Sequence, residues 1–168
     1  MLHYLTNLFF PKVCLGCSSL LLANEKTICT HCRHEIPLTN HHFTPDNEAF
    51  QKFYGKVPVE FAATLVYYHK KGIVQELIHN LKYKGHEEIG SALALWFSDE
   101  LKSVPVLQEV DQIIPVPLHP KKLRQRGYNQ VTTFGQSLAE ALSVSYNPNL
   151  LVRTVYSKTQ TKKDQIGR

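Results

Sequence analysis

Apolar and polar positions along the chain change period in blocks, and each block predicts an element. Leu2, Leu5, Leu8 and Phe9 are spaced like one face of a helix. Residues 39–56 are polar, with Thr39, Asn40, Pro45, Asp46, Asn47 and Gly55, which predicts a linker. Residues 61–68 are β-branched and aromatic enough for a strand. Ile73, Val74, Leu77, Ile78 and Leu81 then fall on one helical face, and Gly85 stands where a helix C-cap belongs. A second helix is expected through Leu93, Trp96, Phe97 and Leu101, and a third through Val131, Phe134, Leu138 and Leu142. Between them, residues 110–114 read as a short buried strand, ended by Pro115 and Pro117, which cannot donate to a ladder. Residues 118–128 are expected to be a loop. Helices alternating with buried strands predict an α/β layer with a parallel sheet, and no internal repeat is present.

The 168 residues, 43% hydrophobic and 20% charged, suffice for one medium domain or a small one plus an appendage. The longest apolar runs fall far short of the ~20 residues that a membrane-spanning helix needs. The N-terminus has neither a basic start nor a small-residue cleavage site, so a soluble, cytoplasmic protein without membrane insertion is expected.

Charge is concentrated. The net charge is +5, yet residues 118–126 carry Lys121, Lys122, Arg124 and Arg126 without an acid. Residues 151–168 carry Arg153, Lys158, Lys162, Lys163 and Arg168 against Asp164, and the remainder is net acidic. Two short segments therefore hold the positive excess, which points to a focused anion site, although charge runs are often only solvated faces.

The four cysteines follow the pattern Cys14-x2-Cys17-x11-Cys29-x2-Cys32. Each Cys-x-x-Cys pair can chelate from one tight turn, so the spacing predicts a structural zinc ion with no open position. Disulfides fit a reducing compartment poorly, and redox motifs normally occur singly. His31 and His34 are read as bystanders, and His41 and His42 as a surface pair in a polar loop.

The stretch 113–130 places a proline-marked strand end, a four-cation loop and a helix start in succession. Ligands of open α/β sheets bind beyond the carboxyl ends of strands, and helix starts favour phosphate. Arg126 and Gly127 offer a fork of donors beside unhindered backbone. A phosphate group is the expected ligand, with nucleic-acid backbone as the competing anion. An ordinary β–α loop capped by Asn129 is the plain alternative.

Three segments together resemble the ComF family, which includes GntX-like proteins. They are the paired cysteines of 14–32, residues 68–85 with their Leu81-Lys82-Tyr83-Lys84-Gly85 ending, and the Pro-Val-Pro-Leu … Arg-Gly-Tyr-Asn-Gln of 115–130. The resemblance implies a zinc-knuckle module over 1–45 and a type I phosphoribosyltransferase-like domain over 46–168. It implies that Lys121, Lys122, Arg124 and Arg126 face a diphosphate, while Gly127, Asn129 and Gln130 shape the loop and cap its helix. Arg153, Thr154, Thr159 and Gln160 resemble the start of a mobile loop over the substrate. Residues 162–168 match the family pattern poorly.

Type I phosphoribosyltransferases also carry two adjacent acids followed by a Thr/Gly-rich turn that cradles the 5-phosphate. The adjacent acidic pairs here, Glu87-Glu88 and Asp99-Glu100, have no such turn and are read as solvated helix faces. The chain is therefore expected to be a shortened member with an incomplete domain, inactive alone. Mg²⁺ and phosphoribosyl pyrophosphate (PRPP) would be bound only by a complete version. The resemblance further implies natural competence, with single-stranded DNA and other DNA-uptake proteins as partners. Three readings remain open: an enzyme or enzyme remnant, a nucleic-acid-binding accessory protein, and a protein-interaction module without catalysis. Tyr128 is a candidate for stacking on a base.

Overall fold

The computed structural model describes residues 11–156. Leu2, Leu5, Leu8 and Phe9 lie outside the described residues, as do Lys158, Thr159, Gln160, Lys162, Lys163 and Arg168.

The chain opens on a knuckle. Ser18 takes a left-handed conformation (φ 63°), and Ser18 N donates to Cys14 O at 2.8 Å while Cys14 N donates to Ser19 O at 2.8 Å. A short helix α1 (Thr30–Glu35) follows, begun by Cys29, whose sulfur accepts from Cys32 N. The Glu25 carboxylate receives Leu22 N at 2.8 Å and also Thr30 N, closing the loop between the two cysteine pairs.

The region expected to be a linker is folded. A 3₁₀ turn (His41–Phe43) leads into α2 (Glu48–Gln51). Asn47 is buried, accepts from Ala49 N at 2.9 Å to cap α2, and donates to Thr44 O and Ala62 O at 2.9 and 2.8 Å. One Asn side chain thus organises both ends of the segment, which polar composition alone does not reveal. His41 and His42 are not a surface pair. His41 is 7% exposed, its Nδ1 3.2 Å from Thr64 Oγ1, and the His42 side chain is 6% exposed, 3.1 Å from Glu100. Glu100 is correspondingly not on a solvated face: burial raises its pKa, and His42 opposes that rise.

Residues 61–68 do not form the expected strand. They make one antiparallel bridge, Val66 to Leu38, with Thr39 N donating to Leu65 O and Tyr67 N to Pro37 O at 3.0 and 2.9 Å. Pro37 has no N–H to extend the ladder.

Three amphipathic helices carry the body. In α3 (Ile73–Tyr83), Val74, Leu77, Asn80 and Leu81 are buried, and Gly85 beyond its end takes φ +76°. In α4 (Glu88–Leu101), Ile89, Gly90, Ala94, Phe97 and Leu101 face inward. α6 (Thr132–Leu142) buries Gly135 and Ala139. Gly90 on α4 allows a close approach to Thr133 and Phe134 of α6, sealed by Thr133 Oγ1 donating to Glu87 O at 2.9 Å and by the Phe97–Phe134 ring pair.

Two further differences concern 110–146. The strand β1 is confined to Gln112–Ile113 and pairs in parallel with an unanticipated β2 (Ser145–Tyr146). Residues 118–128 are not a loop throughout, because Pro120–Arg126 forms α5. The signals are local: Pro120 starts the helix, His119 Nδ1 accepts from Lys121 N at 3.2 Å, and Gly127 ends it at φ +87°.

The knuckle and the helices share a core. Cys14, Cys29, Cys32 and Ile36 pack with Val74, Leu77, Leu81 and Ile89, and a second cluster forms around Leu65, Phe97 and Leu101. Leu38, Val66 and Leu93 touch both.

Candidate functional site

The cysteine cluster is built by local turns and held by α3. Cys14, Cys29 and Cys32 are buried and Cys17 is exposed. The four sulfurs lie within 4.8 Å of one another, and Cys17 Sγ is 3.7 Å from Cys29 Sγ. A tetrahedral ion with ~2.3 Å metal–sulfur bonds spaces its ligands by about 3.8 Å, so the four thiols fit a zinc ion. Backbone amides point at the same atoms: Gly16 N and Cys29 N reach Cys14 Sγ at 3.4 and 3.3 Å, and Cys32 N reaches Cys29 Sγ at 3.4 Å. Such N–H groups offset thiolate charge, which a buried sulfur cluster otherwise tolerates badly. Burial pushes the Cys32 thiol up, whereas hydrogen bonds from the Ser19 side chain and backbone bring Cys17 down to about 6. The cluster can therefore hold a metal ion such as zinc. His31 and His34 are exposed and stand outside it.

α3 also ends at a second feature. Lys82, Tyr83 and Gly85 at its C-terminus face Lys122, Gln125 and Arg126 of α5, with Tyr128 beneath, around a cleft of about 270 Å³. Lys82 is partly buried, and desolvation followed by the charge of Arg126 lowers its pKa below the ordinary 10.5. No carboxylate makes an ion pair with Lys82, Lys122 or Arg126 among the described residues. Arg126 lies over the Tyr83 ring at 5.6 Å and donates to Gln130 Oε1. Tyr128 donates to Leu81 O, and burial, then the nearby Glu87 charge, raises its pKa.

The sequence-derived candidates separate into groups. Lys122 and Arg126 line the cleft, but Lys121 and Arg124 do not. Lys121 instead sits 5.1 Å from the Tyr156 ring, which also meets His119 at 5.2 Å. Gly127 terminates α5. Asn129 donates to Val116 O at 3.0 Å and its Oδ1 accepts from Val131 N at 3.4 Å, while Gln130 holds Arg126. Arg153 and Thr154 lie in irregular chain before Tyr156, and Thr159 and Gln160 fall outside the described residues. Lys82 and Tyr83 were not among the candidates. Their only local signal is a Lys-Tyr-Lys-Gly helix end, and cations are common there because they complement the helix dipole.

The cysteine cluster packs against α3, and the cationic cleft lies at the C-terminal end of the same helix. The chain is similar to DNA utilization protein YhgH. Against that protein from Escherichia coli strain K12 it is 30% identical over 151 residues, covering 88% of this chain and 63% of the relative. The Shigella flexneri protein of the same name gives the same figures, and the Salmonella typhimurium one is 32% identical over 87 residues, half of this chain. The chain thus spans less than two thirds of the length of these relatives. No protein-family model and no solved structure matches it. No helix among the described residues is long and apolar enough to cross a membrane.

Proposed function

We propose that this chain serves DNA uptake or utilization and binds nucleic-acid phosphate in the cleft between α3 and α5. The observation that carries the reading is the meeting of Lys82, Lys122 and Arg126, none of them ion-paired to a carboxylate among the described residues. Holding two cations close enough for one to depress the other's pKa costs free energy, and a bound anion recovers it. The similarity to DNA utilization proteins supplies the kind of anion. Gly127, Asn129 and Gln130 shape the loop that presents Arg126, while Lys121 and Arg124 add to the surrounding field. The zinc ion is structural in this reading: four protein ligands leave no position open for catalysis.

The finer assignments belong to the same proposal. The chain divides into a knuckle over 1–45 and a phosphoribosyltransferase-like domain over 46–168, working in the cytoplasm. The parallel β1–β2 pair, whose connection runs through α5 and α6, supports an α/β architecture of that kind. A diphosphate such as that of PRPP, carried with Mg²⁺, presents the same chemistry to the cleft as a DNA backbone does.

Binding of a fluorescently labelled single strand, followed by anisotropy across a salt series, tests the reading. Affinity should fall steeply with salt, and Arg126→Ala should weaken binding and flatten the slope of log K against log salt by about 1. Salt-insensitive binding, or an Arg126→Ala variant with the native slope, would refute it. PRPP with Mg²⁺ as a competitor separates the diphosphate reading, since only a shared cleft makes it displace the strand.

A further inference from the structure

The cleft has an aromatic wall that phosphate binding does not use. Tyr83, a residue 59% exposed, lines one side of it, and His79, one turn earlier on α3, sets its imidazole 5.2 Å from the Tyr83 ring at an interplanar angle of 48°. Arg126 reaches the same ring from α5. Tyr128 also lines the cleft but is more buried than Tyr83, and its hydroxyl donates to Leu81 O. Nothing in the helix core requires Tyr83, because the buried face of α3 is formed by Val74, Leu77, Asn80 and Leu81.

We propose that Tyr83, flanked by His79, is a base-stacking platform, so that the cleft takes single-stranded DNA with a phosphate on Lys82, Lys122 and Arg126 and the adjoining base on the Tyr83 ring. This rests on the phosphate reading above and extends it from the backbone to the base. The specificity for single strands follows from geometry. In a duplex both faces of each base are covered by neighbours, so an exposed ring can stack only on an unpaired base. Stacking is indifferent to base identity, because every base has a π-face, and the adjacent guanidinium adds a cation to the stack. The site is therefore sequence-tolerant and strand-selective.

The test compares a short labelled oligothymidine with an abasic strand of equal length, which keeps the phosphates and lacks the bases. The native protein should bind the oligothymidine about 10-fold more tightly. Tyr83→Ala should remove that preference by weakening oligothymidine binding more than abasic binding, while Tyr83→Phe should retain the preference. Equal native affinity for both strands overturns the platform and leaves the phosphate reading standing. So does a Tyr83→Ala variant that weakens both strands alike, or a Tyr83→Phe variant that behaves like Tyr83→Ala. No binding of either strand overturns both.

Discussion

Gly90 lies where α4 and α6 touch, and replacing it with alanine sets two effects against each other. Intrinsic propensity favours the change, since Ala in a helix interior is better than Gly by about 1 kcal/mol. The contact opposes it. A Cβ on Gly90 would sit 2.2 Å from Thr133 Oγ1, 3.0 Å from Phe134 N and 3.4 Å from Thr133 Cβ. Rotating Thr133 away relieves the first clash but forfeits its bond to Glu87 O, worth about 1 kcal/mol. The approach to Phe134 N involves backbone, so it eases only if α6 itself shifts. Overpacking of this kind costs about 1–3 kcal/mol. The contact outweighs propensity, and Gly90→Ala should destabilise by about 1–3 kcal/mol. Urea unfolding of the zinc-loaded protein, read by the fluorescence of its single tryptophan, Trp96 on α4, measures this directly. Thr133→Ala removes the nearest of the three contacts, so the double variant should be less destabilised than the sum of the singles, with a coupling of about 1 kcal/mol. A Gly90→Ala protein as stable as the native one would show that the two helices separate without cost, and the argument from close approach would fail.

Two further outcomes follow from the site. The purified chain should carry one zinc per molecule and release it on acidification, because protons compete for the sulfurs; Cys32→Ser should lower zinc content and stability together, and a variant that keeps both would remove the metal reading. DNA affinity should fall on the alkaline side earlier than an ordinary lysine dictates. Bound phosphate favours protonated Lys82, whose free-state pKa is lowered by burial and by Arg126, so affinity is lost as pH rises through that lowered value. Lys82→Met should bind more weakly and lose this limb of the pH profile; an unchanged profile would place Lys82 outside the site.

What could be read directly from the sequence has a range of a few residues. The two Cys-x-x-Cys pairs place their sulfurs through turns that each pair controls, and the clustered thiols follow. The period of α3, α4 and α6 and the glycine after α3 are equally local, and those helices stand where periodicity put them. Tertiary structure decided the rest. The aromatic and β-branched stretch 61–68 had the composition of a strand, but a strand needs a partner, and Pro37 limits the one available to a single bridge. His41 and His42 looked solvated until Thr64 and Glu100 were folded over them. Lys122 and Arg126 stood out as charges, yet nothing near them in the chain announced Lys82, some forty positions earlier. α3 is anchored to the knuckle by Leu77, which is 1% exposed, and by Asn80 donating to Leu15 O at 2.7 Å, while Tyr128 ties its end to the segment after α5. A spacing rule sees only what one turn or one strand brings together. The cleft is made by two helix ends that meet because separate apolar faces share one core, and that meeting is a property of the packed chain.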